Sequence, residues 1–147
     1  MEAPLPTPSL PEMGQKLPAG LPISFDRKFR PWRYSVSHSE LKIRSVDSVP
    51  SGEVVEVTFY GVVGMKLKTV YQSLTIATAE REQVEEMLKF SEVREPYFER
   101  VRCLALKSDC GDGLVACLSY SIWSHLGEPD YGEPGVPRQG SLLILKG

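Results

Sequence analysis

From residue 32 onward the side chains alternate with a period of two. Trp32, Tyr34, Val36 and His38 fall on one side, and Arg33, Ser35 and Ser37 on the other. That alternation predicts a half-buried β-strand. Leu41, Ile43 and Val46 extend it while Lys42 and Arg44 face the other way. Residues 47–52, DSVPSG, have the composition of a turn. The next run, 54–63, is rich in β-branched and aromatic residues, and Gly61 and Gly64 mark a bend or bulge. Residues 65–69 alternate again, and Leu74, Thr75 and Ile76 begin another short strand.

One segment changes period. Val84, Met87 and Leu88 fall at i, i+3 and i+4, the stripe of a helix over about 79–90. Thr78 is its expected N-cap, and Glu80 and Glu82 suit the positive end of the helix dipole. The narrow stripe predicts a helix that covers one face of a sheet. Strand signals then return over 97–106 and 114–123, with Gly111-Asp112-Gly113 as the turn of a hairpin. Residues 141–145, SLLIL, close the chain as a last strand that this chain or a second copy must cover, so a homodimer is one option. The pattern predicts a β-dominated α+β fold: an antiparallel sheet or partly open barrel of six to eight strands with one covering helix.

Residues 1–31 carry seven prolines, which remove amide donors and restrict their predecessors. This predicts a Pro-rich flexible leader over 1–20 and a single β-rich domain over 21–147. No stretch is apolar over the 18 or more residues that a membrane span requires. The first residues lack the features of a secretory signal, so the expected location is cytoplasmic. The formal charge of −2 and a pI near 5.7 argue against a dedicated nucleic-acid binder. Cys103, Cys110 and Cys117 form neither a disulfide framework nor a zinc motif. Cys103 and Cys117 lie in apolar runs and read as buried thiols, while Cys110 lies in a turn.

The segment Val57-Thr58-Phe59-Tyr60-Gly61-Val62, running on to Met65-Lys66-Leu67, resembles the F-x-G-V-x-x-L-x-L strand pair of small bacterial β-rich proteins. Trp32-Arg33-Tyr34-Ser35-Val36-Ser37-His38-Ser39 and Tyr131-Gly132-Glu133-Pro134 are similar to segments of actinobacterial proteins of that type. Some of these families are grouped with immunity proteins of polymorphic toxin systems. The resemblance implies a partner-binding protein and carries over no catalytic residue.

Two segments are candidate contact surfaces. Residues 25–34 interleave Phe25, Phe29, Trp32 and Tyr34 with Arg27, Lys28, Arg30 and Arg33. Arg and Trp are common interface anchors. The same mix serves single-stranded nucleic acid, and it also describes a strand junction with buried rings and solvated cations. The loop at 128–133 presents Glu128, Asp130, Tyr131 and Glu133 without a base. Its spacing does not follow the twelve-residue calcium loop. An acidic surface there would complement a basic toxin domain.

His38 and His125 are the only histidines, and no P-loop, G-x-S-x-G, G-x-G-x-x-G or H-E-x-x-H motif occurs. These residues predict a non-enzymatic protein-interaction module, plausible contacts being Arg27, Arg30, Trp32, Arg33 and the acidic loop, with no metal or cofactor. A small enzyme or ligand-binding protein with a pocket between sheet and helix is the alternative. Nucleic-acid binding through 25–34 is the weaker one.

Overall fold

In the computed structural model, which describes residues 20–46, 52–126 and 142–147, the period-two segments become ten strands among the described residues. They are β1 (Ile23–Phe25), β2 (Phe29–Ser35), β3 (Glu40–Ser45), β4 (Glu53–Tyr60), β5 (Gly64–Lys66) and β6 (Leu74–Thr78). After the helix α1 (Arg81–Phe90) come β7 (Arg102–Lys107), β8 (Gly113–Cys117), β9 (Ser119–Leu126) and β10 (Leu142–Lys146). The strands form two five-stranded antiparallel sheets, ordered β1-β6-β7-β8-β5 and β10-β9-β4-β3-β2. The fold is therefore β-dominated and antiparallel with one main helix, and the sheets do not close into a barrel. The count exceeds the expected six to eight because residues 23–25 form the short strand β1 and the 114–123 run divides into β8 and β9.

Alternation sets the layers. Leu41, Ile43, Val55, Val57, Phe59 and Ile122 of the second sheet share a buried cluster with Leu74, Ile76, Leu104, Leu106, Val115 and Cys117 of the first. The opposite face of the first sheet presents small side chains, Ala105, Cys103 and Ala116, with Leu114. Helix α1 packs there through Met87, flanked by Val84 and Leu88. The helical stripe thus faces the sheet, as its spacing requires. The helix begins at Arg81, with Gln83 Oε1 accepting from the Glu80 N–H at 2.9 Å. Thr78 does not cap it, because it ends β6 opposite Leu104 of β7.

The 114–123 run is two strands. β8 lies in the first sheet and β9 in the second, and the chain passes between them at Leu118. A matching passage joins β4 to β5 at residues 61–63. β4 pairs with β9 and β5 with β8, so the two segments stay antiparallel through the bend. The Leu118 N–H donates to Tyr60 O at 2.9 Å, and the Val63 N–H to Ala116 O at 2.8 Å. Gly61, at φ +64°, is needed there: a Cβ would lie 2.8 Å from the Leu118 side chain.

The β7–β8 hairpin forms around the Gly-Asp-Gly turn. Its strand begins only at Arg102, since residues 95–100 make a 3-10 turn with Pro96 near its start. Beyond the turn, Gly113 faces Tyr71, whose hydroxyl would be 2.2 Å from an added Cβ, with Lys66 O at 3.0 Å. Gly113→Ala is therefore expected to cost about 1–3 kcal/mol through overpacking, read from the urea midpoint. Residues 36–38 also leave strand geometry for a 3-10 turn, closed by Ser39 at φ +50°. The expected 1–20 leader and the 47–52 turn lie outside the described residues up to 19 and over 47–51. Among the described residues no helix is long and apolar enough to cross a membrane.

Candidate functional site

The outer face of the second sheet carries charges where neighbouring strands meet. Lys42 and Arg44 point outward from β3 because Leu41 and Ile43 point into the core. Arg44 lies opposite Glu56 of β4, and Val54 opposite His125 of β9, which brings Glu56 and His125 to the same face. Glu56 Oε2 accepts from Arg44 Nε at 3.1 Å and also from Arg44 Nη2. Its Oε1 accepts from Lys42 Nζ at 3.3 Å and His125 Nε2 at 3.1 Å. Glu56 is 1% exposed and Arg44 3%.

Burial pushes the Glu56 carboxyl up, but the hydrogen bonds from His125 and Arg44 and the charges of Lys42 and Arg44 outweigh it. The carboxyl is held at about 2. A carboxylate with that acidity and with both oxygens occupied is a poor general base near neutral pH. Its role here is to fix Arg44, whose guanidinium stacks 4.6 Å from the Trp32 ring centroid. Trp32 is thereby anchored from beneath while 43% of its surface stays in solvent. Arg44 Nη1 is buried without a hydrogen-bond partner.

β2 is the outermost strand of this sheet, and it brings Arg30, Trp32 and Arg33 together on one edge. Arg30 faces Arg44 and Arg33 faces Lys42, with an irregularity between Pro31 and Arg33. That irregularity corrects the simple alternation expected from residue 32. Trp32 stacks on the outer face, and Tyr34 stays 39% exposed rather than joining the core. Arg27 does not join the group. It pairs with Glu53, which also accepts from Ser124 Oγ at 2.6 Å. Hydrogen bonds from Ser124 and Arg27 hold the Glu53 carboxyl below its ordinary range. Phe29 is buried, and Phe25 packs on it with ring centroids 5.6 Å apart. The expected contacts Glu128, Asp130, Tyr131 and Glu133 lie outside the described residues.

Alternation turns Lys42 and Arg44 away from Leu41 and Ile43, but by itself it does not bring Glu56 and His125 to them. The local signal was limited to charges interrupting strand alternation; their meeting depends on the register between strands far apart in sequence. Burial works against thiolate formation at two of the cysteines. All three are free, and burial pushes the thiols of Cys103 and Cys117 up, the latter to about 12. No group of three or more His, Cys, Asp or Glu side chains suited to a metal ion occurs among the described residues. Comparison of the chain with protein-family models, curated proteins and solved structures returned no match.

Proposed function

We propose that this chain is a protein-interaction module of the immunity type, binding its partner through the side chains of Arg30, Trp32, Arg33 and Tyr34. The observation that carries the reading is the exposed Trp32 ring, held in place by a buried arginine on an otherwise solvated strand edge. A preorganised tryptophan loses little side-chain freedom on binding, and Trp, Tyr and Arg dominate interface energetics. Arg30 and Arg33 make no ion pair among the described residues, so carboxylates on a partner are their natural complement. Pro31 has no N–H to give a further strand, and the irregularity at Trp32 interrupts the ladder. Contact through side chains is therefore favoured over strand addition. The resemblance of the 57–67 segment to immunity-grouped proteins supports the finer reading.

The test is purification of the chain with its partner from native extract, followed by affinity measurement on the isolated pair. Trp32→Ala is expected to weaken the complex about 30-fold, the effect of a hot spot worth about 2 kcal/mol. Arg30→Glu with Arg33→Glu is expected to slow association and reduce its salt dependence. A chain that emerges alone, or a Trp32→Ala complex of unchanged affinity, would overturn the reading. Retention on heparin that disappears with Arg30 and Arg33 would instead favour nucleic acid.

A further inference from the structure

A second surface lies at the far side of the molecule's first sheet, where the bends expose apolar side chains. The pocket expected between sheet and helix is filled by Met87 and its alanine neighbours. Beyond the C-terminal end of α1, however, a half-open cleft of about 360 Å³ is lined by Val63, Val93, Tyr97, Leu118, Arg94 and Arg100. Its volume falls in the range of small-molecule sites. Val63 and Leu118 come from the two bends between the sheets and are 43% and 50% exposed. The 3-10 turn at 95–100 adds the Tyr97 ring, 48% exposed, with Arg100 packed over its face.

The cleft has the chemistry of an amphipathic anion site. Arg94 and Arg100 make no ion pair among the described residues. Glu92 also lines the cleft and leaves one net positive charge there. Ser91 and Glu92 complete the lining where α1 ends. The Ser91 hydroxyl is buried against Gly64, where an added Cβ would lie 1.8 Å from it. Glu92, at φ +56°, closes the helix, with the Val93 N–H donating to Leu88 O at 3.0 Å.

We infer that this cleft binds a small monocarboxylate with an aliphatic or aromatic body. The apolar part would cover Val63, Val93 and Leu118, and the carboxylate would meet Arg94 and Arg100. Arginine binds carboxylates through charge-assisted, often paired hydrogen bonds. The inference is independent of the partner contact at β2.

Octanoate and 1-octanol are the probes, added to the full chain with its valine and leucine methyls labelled for NMR. Octanoate is expected to shift the methyls of Val63, Val93 and Leu118 saturably, and 1-octanol to bind about tenfold more weakly. Replacing Arg94 and Arg100 together by glutamine should remove that preference. Both side chains are exposed, so the fold should persist, and Arg30→Gln with Arg33→Gln should leave octanoate binding unchanged. Absence of saturable shifts, equal binding of the alcohol, or unchanged preference in the Arg94/Arg100 variant would each overturn the assignment. So would shifts centred on the adjoining hollow around Leu88 and Phe98.

Discussion

Glu56→Leu is expected to lose about 3–5 kcal/mol of stability, because it strands Arg44 and Lys42 in a buried setting without their carboxylate. Urea unfolding measures the loss, and Trp32 fluorescence should report release of the indole from Arg44. Replacing Lys42, Arg44 and Glu56 together by apolar residues of similar volume should restore most of the stability, since no charge is left unpaired. A midpoint within ~0.5 kcal/mol of the parent after Glu56→Leu alone would show that water reaches the cluster and sustains it. The same carboxyl sets an acid limit. Its folded value of about 2 lies below the ordinary 4.5, so folding favours its deprotonated form. The linked stabilisation is complete above about pH 4.5 and is lost as pH falls toward 2. Its size is about 3 kcal/mol, and Glu53, lowered by Ser124 and Arg27, contributes in the same direction.

Met87→Ala is expected to cost about 2–5 kcal/mol. Met87 is the buried residue of α1, and the surface beneath it is built from Ala105, Cys103, Leu114 and Ala116, too small to close the space it would leave. Helical amides should then exchange faster than those of β7 and β8 in hydrogen-exchange measurements. The cleft at Val93 and Tyr97 follows the helix in the chain, so octanoate affinity should fall with it. Uniform acceleration across helix and sheet would indicate that α1 and the first sheet unfold as one unit.

Much of this architecture is written locally. The strand within 54–63 needed no partner to be read, because its β-branched and aromatic residues favour extended backbone. The β7–β8 hairpin follows from its strands and the glycines at 111 and 113, and the helix from Val84, Met87 and Leu88. The burial of Cys103 and Cys117 follows from their apolar neighbours. Leu118 gave no such warning: an apolar residue within an apolar run becomes a bend because its N–H meets Tyr60 and its side chain needs Gly61.

The candidate site was legible only in part. Arg30, Trp32 and Arg33 could be chosen by residue type, whereas the support under Trp32 comes from β3, β4 and β9. Alternation turns Lys42 and Arg44 off the core face, and only strand register lays Glu56 and His125 beside them. Arg27 has the same chemistry as Arg30, but its position in the β1–β2 turn puts it within reach of Glu53. Residue type supplied candidates, and strand register selected among them.

The antiparallel union of β4 with β9 also sets an order of events during synthesis. Side-chain bonds across it join residues 61 to 71 positions apart, as in Tyr60 with Ser121 and Glu53 with Ser124. At ribosomal speeds of roughly 5–20 residues per second, β4 emerges several seconds before β9 can reach it. Through that interval the nascent chain carries Val55, Val57 and Phe59 beside an unfilled ladder, exposed to mispairing. A slow, concentration-sensitive yield on refolding, relieved by a chaperone that shields extended segments, is the natural consequence.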